Sequence, residues 1–404
     1  MPTTCPKRVP PLSLCSGTSV ATACGPTGGC ERVPISIGYD ARAGLQGAGV
    51  GRYARALLQA LLVAPGDEEY VVLAERGKSP SWLRGREHVR LASLPVSQRA
   101  SDIAWQRLRI PVPVEWFTGP LRIYHSPDYL LPPLAHAAGI VTVHDLSFAR
   151  VPQFAHPQLA AFLNRALPRS LRRAALVLAD SACTAEDLVA CFGVPAERVR
   201  TIYLGVEASF CPQPGEDERE HLAREYGLDG PYLLTVGTIE PRKNLVATVE
   251  GFKRARLQCT FDGVLAIAGA PGWLAEESLE AARRAGRHVR LLGRVPDADL
   301  PALYRQAEAL VYASHYEGFG LPPLEAMACG TPVIVSNNSS LPEVVGGAGV
   351  YCETDAESIA GAIVRLLEDA QLRTKLVRTG LERARLFTWE RTAEQVRQVY
   401  HEVV

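Results

Sequence analysis

The chain has 404 residues, 47% of them hydrophobic and 21% charged, which is typical of a soluble globular protein long enough for two domains. Its 43 acidic and 43 basic side chains cancel, so the net charge gives no reason to expect nucleic acid as a partner. No run approaches the about 18 consecutive apolar residues that a membrane-spanning helix needs.

The first segment, residues 1–33, is rich in Pro, Gly, Ser and Thr and contains no aromatic residue. We expect a disordered tail, because this composition buries too little surface to offset the entropy of ordering. Its cysteines contain no C-x-x-C pair, so a zinc site is the less favoured alternative. They are Cys5, Cys15, Cys24 and Cys30.

Strands and helices alternate from residue 34 to about residue 210. The segments "ISIGYD", "EYVVLAE", "RIYHS", "GIVTV", "ALVLAD" and "VRTIYLGV" each predict a strand. Between the first two, "GAGVGRY" (Gly47–Tyr53) predicts a glycine-rich loop, followed by a helix with leucines at helical spacing. Strands separated by helices predict a parallel sheet with helices on both faces.

A Pro-rich and charged segment, residues 210–230, interrupts this pattern and is typical of a linker. Six more strands follow at "YLLTV", "VLAIAG", "HVRLLG", "ALVYAS", "PVIVS" and "GVYC", and Thr388 predicts the start of a last helix. We therefore predict an α/β protein with two parallel-sheet domains at residues 34–210 and 211–386 and a C-terminal helix at residues 387–404. Ligands of such sheets bind beyond the carboxyl ends of the strands, in a cleft between the two domains.

The loop "EGFGLPPLE" runs from Glu317 to Glu325. Gly318 and Gly320 permit close backbone approach, and the prolines suit the start of a helix, where a missing N–H costs nothing. Amides of such a loop bind phosphate, and Glu325 in the first helical turn suits the two hydroxyls of a ribose. The alternative is an ordinary helix start with a solvated Glu317, and the residues alone leave both interpretations open.

Three other polar loops follow strands. In "GTIEPRKNL", Arg242 and Lys243 can neutralise a diphosphate, although an Arg-Lys pair is more often a solvated surface pair. In "VTVHDLSF", His144 can donate to a sugar hydroxyl or transfer a proton, or it is a structural histidine. His125 in "HSPDYLLPP" is open to the same two interpretations. The glycine loop alone is a weak sign of nucleotide binding.

Together these segments resemble the retaining glycosyltransferases of family 4, which have the two-domain GT-B fold. "EGFGLPPLEAMACGTPVI" resembles their E-x7-E signature, "GTIEPRKN" their diphosphate loop and "GAGVGRY" their N-terminal glycine loop. "VHDLSF", "ADSACTAEDL" and "IYLGVEASF" stand in the expected order, so the resemblance covers about residues 34–404. Bacterial mannosyltransferases of polysaccharide assembly are the members that look most similar.

The resemblance implies catalytic roles for four residues. Arg242 and Lys243 would stabilise the departing nucleotide diphosphate, Glu317 would approach the donor sugar, and His144 would lie near its anomeric carbon. Cations and helix amides would then stabilise the charge on the diphosphate, which a bound metal ion does in other transferases, so no metal is expected.

The resemblance also implies a donor-binding set. Its members are Gly49, Val50, Gly51, Arg294, Val295, Gly318, Phe319, Gly320, Leu321 and Glu325. Glu325 would hold the ribose, the backbone at Arg294 and Val295 would contact the base, and the other residues would lie near the phosphates, the sugar or the acceptor. The C-terminal helix would cross back to the first domain.

The implied reaction is retaining transfer of a hexose, with mannose favoured, from a nucleotide sugar to a hydroxyl of a glycan, lipid-linked or small-molecule acceptor. GDP-mannose is the favoured donor and a UDP-sugar the second choice. The nucleotide sugar is a substrate, and no cofactor is expected. Two alternatives stay open: a UDP-sugar-dependent glucosyltransferase of the same family, and a catalytically silent protein that binds nucleotide sugars. The sequence does not predict the acceptor or the oligomeric state.

We expect a cytoplasmic protein. Several arginines in "LNRALPRSLRRAA" suit a solvated helix face, with peripheral contact at the anionic inner membrane face as the less favoured alternative. They are Arg165, Arg169, Arg172 and Arg173.

Overall fold

The structure is a computed structural model that describes residues 34–42, 44, 49–63, 66–77, 81–83, 86 and 88–404. The tail expected at residues 1–33, with its cysteines, lies outside the described residues, and so does Gly47 of the glycine loop.

The strands of the described residues are β1 (Ile35–Asp40), β2 (Glu68–Glu75), β3 (Val89–Leu94), β4 (Ile123–Ser126), β5 (Ala138–Val143), β6 (Ala174–Ala179), β7 (Val199–Thr201), β8 (Tyr232–Val236), β9 (Val264–Ala268), β10 (Val289–Gly293), β11 (Ala309–Tyr312), β12 (Val333–Ser336) and β13 (Gly349–Cys352).

These strands form two sheets in which every pairing is parallel. The first sheet has seven strands in the order β3-β2-β1-β4-β5-β6-β7, and the second has six in the order β10-β9-β8-β11-β12-β13. The prediction of an α/β protein with two parallel sheets is therefore confirmed. We call the parts of the chain that build the first and second sheets the first half and the second half.

Helices cover both faces of each sheet, which explains why inner strands such as β4, β11 and β12 are buried along their whole length. The helices of the described residues are α1 (Gly49–Val63), α2 (Gln98–Asp102), α3 (Glu115–Thr118), α4 (Ser147–Arg150), α5 (Pro157–Arg173), α6 (Ala182–Phe192), α7 (Glu218–Tyr226), α8 (Leu245–Gln258), α9 (Glu276–Arg284), α10 (Leu300–Gln306), α11 (Leu321–Ala328), α12 (Leu341–Val345), α13 (Ala356–Glu368), α14 (Ala370–Ala384) and α15 (Trp389–Glu402).

Each sheet has a point at which the strand order reverses. It lies between β1 and β4 in the first sheet and between β8 and β11 in the second. Loops that leave the carboxyl ends of such neighbouring strands diverge to opposite faces and open a crevice, where ligands of doubly wound sheets bind. The loop with Arg242 and Lys243 follows β8, and the loop with Glu317 follows β11. The fold therefore places both candidate loops at the same crevice.

The last helix, α15, packs on the first half of the chain. Thr388 caps it by accepting a hydrogen bond from the amide of Arg391, and Arg397 donates to the carbonyl of Leu61 in α1 at 2.5 Å. The Tyr400 hydroxyl lies 2.7 Å from Nδ1 of His125, whose Nε2 lies 2.9 Å from the hydroxyl of Thr142 on β5.

His125 is thus fully buried, and burial lowers its pKa to about 3. It is neutral, and its partners are protein groups, as its structural interpretation requires.

The two halves also meet directly beside their sheets. Glu343 of α12 accepts hydrogen bonds from the amides of Ala182 and Cys183 in the first turn of α6, at 2.9 and 3.1 Å. Tyr203, just after β7, donates to the same carboxylate at 3.1 Å. An acidic side chain at a helix N-terminus is favoured both by the free amides and by the helix dipole. Glu343 therefore connects the second half of the chain to α6 of the first half.

Candidate active site

The loops after β8 and β11 are tied together by backbone and side-chain hydrogen bonds. Arg242 and Lys243 lie in the short 3-10 turn Pro241–Lys243, which ends at Asn244 in the left-handed conformation with φ 56°. The side-chain Nδ2 of Asn244 donates to the carbonyl of Ala313 at 3.0 Å, and the backbone amide of His315 donates to the carbonyl of Arg242 at 2.9 Å. The positions of the two cations are therefore fixed relative to the loop that carries Glu317.

Both cations are ion-paired with Glu317. Nη1 of Arg242 lies 2.9 Å from Oε2 of Glu317, and Nζ of Lys243 lies 2.7 Å from Oε1. Nη2 of Arg242 also lies 2.7 Å from Oε1 of Glu240. The side chains of Arg242, Lys243 and Glu317 are only 14%, 13% and 8% exposed. The interpretations of a solvated Arg-Lys pair and a solvated Glu317 are therefore wrong.

The electrostatics of this cluster follow from burial and pairing. Burial acts to raise the pKa of Glu317, but Arg242 and Lys243 outweigh it and lower the pKa to about 2. Burial lowers the pKa of Lys243, while Glu317 opposes that shift. Lys243 also donates to the hydroxyl of Tyr312 at 2.6 Å and lines a small cavity with Thr235 and Gly237. The cluster places two cations, paired with Glu317 and Glu240 and largely shielded from water, at the crevice of the second sheet.

The loop from Glu317 into α11 is held from α12. The Ser340 hydroxyl donates to the carbonyls of Glu317 and Phe319 at 2.9 and 2.8 Å, and the Ser339 hydroxyl accepts from the amide of Glu317 at 2.9 Å. Gly320 has φ 108°, a conformation that side chains rarely adopt, and it directly precedes the first turn of α11. These contacts fix the loop at the N-terminus of α11.

The helix starts earlier than the sequence pattern indicated. α11 begins at Leu321, with Pro322 at its second position, so Glu325 lies in the second turn. The prediction that Glu325 lies in the first turn was wrong, because a proline is tolerated anywhere in the first turn and does not mark a unique start. Glu325 is 2% exposed, and one oxygen accepts a hydrogen bond from the Tyr304 hydroxyl at 2.8 Å.

The glycine segment of the first half is helical where the structure describes it. Gly49, Val50 and Gly51 form the first turn of α1, so the prediction that they lie in a loop was wrong. The next residue, Arg52, reaches the second half, and its Nη1 lies 2.8 Å from Oε1 of Glu325. The structure thus brings this segment and Glu325 together through an arginine that the sequence pattern did not single out.

A second close approach joins the two halves at Gly318. A Cβ atom built on Gly318 would lie 1.9 Å from the carbonyl oxygen of His144 and 2.7 Å from Cβ of Asp145. The Thr184 hydroxyl lies 3.4 Å from the carbonyl oxygens of both His144 and Gly318. Only a residue without a side chain fits this contact, which brings His144 beside the loop that carries Glu317.

Both ring nitrogens of His144 have protein partners. Nδ1 lies 2.7 Å from Oδ2 of Asp180, and Nε2 lies 2.8 Å from the carbonyl oxygen of Pro127. A carbonyl only accepts, so Nε2 carries a hydrogen. Burial acts to lower the pKa of His144, but Asp180 outweighs it and the pKa rises to about 9. His144 is therefore a charged, doubly hydrogen-bonded residue, and its contact with a sugar stays a prediction.

The segment after β10, expected to contact the base, lies beside α1 and contains both an exposed and a buried residue. Arg294 is exposed, and Val295 is 9% exposed. Two residues on, Oδ2 of Asp297 lies 3.7 Å from Nη2 of Arg55 in α1. The structure does not bring Arg294 into the cluster around Glu317, and its contact with the base stays a prediction.

Sequence reasoning missed the partners that fix the site. Arg52 stands next to the glycines in "GVGRY", and that position is the only signal that could have singled it out. Asp180 directly follows β6 and stands in "ADSACTAEDL", so its position after a strand was the available signal. Tyr304 and Ser340 carry no local signal, because each reaches its partner from a distant helix or loop.

Two findings concern only the described part of the chain. No group of three or more His, Cys, Asp or Glu side chains there is arranged to hold a metal ion. None of its helices is long and apolar enough to span a membrane.

Comparison with known proteins shows to which protein family the chain belongs. Residues 217–383 match the family described as "Glycosyl transferases group 1", and residues 47–210 match "Glycosyltransferase Family 4". O-antigen chain mannosyltransferase B of Escherichia coli is 32% identical over 365 residues, which make up 87% of this chain and 95% of that protein. The chain therefore belongs to this family of glycosyltransferases, and it is a glycosyltransferase enzyme.

Other relatives match more distantly or over less of their length. D-inositol 3-phosphate glycosyltransferase of Salinispora tropica is 32% identical over 246 residues, 56% of this chain and 51% of that protein. The solved structure of sucrose-phosphate synthase from Thermosynechococcus elongatus superposes with a TM-score of 0.71 at 23% identity, and covers 92% of this chain and 99% of that chain. The fold is thus the GT-B fold of glycosyltransferases, as expected.

Proposed function

We propose that the protein is a retaining mannosyltransferase that moves mannose from GDP-mannose to a hydroxyl of a glycan or lipid-linked acceptor. Mannose is supported by the relative with 32% identity over 87% of this chain, which is named as an O-antigen chain mannosyltransferase. The same name supports an acceptor in polysaccharide assembly.

The single observation that carries the proposal is the buried pair of cations at the crevice of the second sheet. Arg242 and Lys243 converge on Glu317 beside the N-terminus of α11. Negative charge builds on the diphosphate as the sugar departs, and fixed cations and helix amides in a site shielded from water stabilise such charge strongly. This arrangement suits a leaving nucleotide diphosphate.

Retention is supported by the state of Glu317. One carboxylate oxygen faces Arg242 and the other faces Lys243, so both oxygens are ion-paired, which lowers the nucleophilicity of the carboxylate toward the anomeric carbon. We infer a front-face route in which the acceptor oxygen bonds to the anomeric carbon as the bond to the diphosphate breaks. The acceptor proton then passes to the departing phosphate oxygen, and Glu317 serves to hold the two cations in place.

The test is calorimetric titration of the protein with GDP, UDP, ADP and their sugar conjugates, followed by a transfer assay. We expect GDP and GDP-mannose to bind most tightly and Arg242→Ala to lose binding by about a hundredfold, the effect of removing a charged hydrogen-bonding group. Preference for UDP would favour the glucosyltransferase alternative. Binding without turnover on any glycan acceptor would favour the catalytically silent alternative.

A further inference from the structure

Arg52 connects the two halves at the carboxylate expected to hold the donor ribose. Arg52 lies in the first turn of α1 in the first half, and its Nη1 is 2.8 Å from Oε1 of Glu325 in the second half. The other oxygen of Glu325 accepts from the Tyr304 hydroxyl at 2.8 Å. The side chains of Arg52 and Glu325 are 14% and 2% exposed, so the ion pair is largely out of water.

The other end of the guanidinium is also anchored. Nη2 of Arg52 lies 3.4 Å from Oε1 of Glu207, and the guanidinium lies over the ring of Phe210, 5.4 Å from its centre. Both partners belong to the segment between β7 and α7, which connects the halves. A planar fork can hold two carboxylates and stack on a ring at once, which a lysine cannot do.

Glu325 needs such a partner in order to work as a double acceptor. A carboxylate accepts two hydroxyls only while it is ionised, and burial favours the protonated form. Burial raises the pKa of Glu325, and Arg52 opposes that shift. Of the other titratable groups that act on Glu325, Tyr304 of α10, Glu207 and Cys329 supply no positive charge.

We propose that Arg52 is a positioning residue for the donor, which holds Glu325 oriented as the acceptor of the ribose hydroxyls. Each carboxylate oxygen has two lone-pair directions, so contacts to Arg52 and Tyr304 leave one on each oxygen for a hydroxyl. Recognition of the ribose in the second half is thereby coupled to α1 in the first. The inference rests on the proposed function and names a residue that acts through Glu325.

The experiment compares GDP with 2′,3′-dideoxy-GDP by calorimetric titration of the full chain, or the matching uridine pair if UDP binds more tightly. We expect the wild-type protein to lose affinity when the hydroxyls are removed. Arg52→Gln should bind GDP about ten- to a hundredfold more weakly, the range for one charge-assisted hydrogen bond. It should bind dideoxy-GDP as the wild-type protein does. Arg52→Lys should recover part of the loss, because it keeps the charge but not the fork.

The matched control is Arg55→Gln. Arg55 lies three residues further along α1 and also pairs with an acid of the second half, Asp297, at 3.7 Å. Its substitution should leave the ratio of the two affinities unchanged. If Arg52→Gln does not fold, Glu207→Gln removes the second anchor of the guanidinium and should give a smaller loss, again for GDP alone.

The outcomes separate this inference from the proposed function. If Arg52→Gln loses affinity equally for GDP and dideoxy-GDP, Arg52 has a merely structural role. If Arg52→Gln binds GDP more tightly than the wild-type protein, Arg52 competes with the ribose. Either result overturns this inference and leaves the proposed function standing. Equal wild-type affinity for GDP and dideoxy-GDP would overturn the inference as well, because Glu325 would then not bind the ribose hydroxyls. A wild-type protein that binds no nucleoside diphosphate would overturn the proposed function and the inference with it.

Discussion

Glu317 is the carboxylate that forms ion pairs with both buried cations, Arg242 and Lys243. Its pKa falls from 4.5 to about 2, which corresponds to about 3 kcal/mol of folding free energy. Because the folded-state pKa is the lower one, this contribution is complete above about pH 4.5 and is lost as the pH falls toward 2.

Glu317→Gln should therefore lower the free energy of unfolding by about 3 kcal/mol at pH 7, since Arg242 and Lys243 keep their charges but lose their shared partner. Urea unfolding of both proteins at pH 7 and pH 3 measures the effect. The difference between them should shrink by about half or more at pH 3. A difference of the same size at both pH values would contradict the assignment.

His144 titrates in the opposite sense. Its pKa is raised from 6.5 to about 9, so the stability that its charge contributes is complete below pH 6.5 and is lost as the pH rises through 9. Asp180→Asn should lower this pKa, because burial then acts without the opposing carboxylate. NMR titration of the ring protons measures both values, and an unchanged His144 pKa in the variant would show that Asp180 is not the cause.

At the scale of elements, the contact between the loop after β11 and the loop after β5 depends on a missing side chain. Gly318→Ala would place a Cβ atom 1.9 Å from the carbonyl oxygen of His144, so one of the loops must move. We expect a loss of about 1–3 kcal/mol in unfolding free energy and a lower transfer rate. Gly347→Ala is the control, because nothing lies within 4 Å of the added atom. Equal effects of the two substitutions would show that the contact at Gly318 does not matter.

Most elements, but not all, could be predicted from their apolar patterns. Buried strands such as "ALVY" and "VIVS" are continuous apolar runs between turn residues, and the sequence identified them. β3 was missed because it is an edge strand in which only Ala92 and Leu94 are buried, so its pattern is short. The start of α11 was placed at Pro322 or Pro323, one or two residues late, since prolines suit several positions of a first turn.

The candidate site was predictable to the extent that its residues stand in loops after strands. Arg242, Lys243 and Glu317 were singled out in this way, and the structure brings them into one cluster. Their supporting contacts were not predictable, because a pair such as Arg52 and Glu325 depends on how the two halves meet. No local pattern in either segment carries that information.

At the scale of the whole molecule, Glu343 holds the two halves together at α6. Glu343→Ala removes the acceptor for the amides of Ala182 and Cys183, which should then exchange their hydrogens about tenfold faster. Hydrogen exchange measures this rate, and Glu353→Ala, at an exposed position, is the control. Unchanged exchange at the start of α6 would mean that other contacts are sufficient to hold the halves.

The position of α15 along the chain has a consequence for synthesis on the ribosome. The apolar face of α15, with Val396 and Tyr400, covers α1 and reaches β4 through His125, yet the whole second sheet is translated between them. While the second sheet emerges, the leucines of α1 lack their cover, and that surface is open to chaperones or to premature association. The first half can therefore complete its core only after the second half has been made.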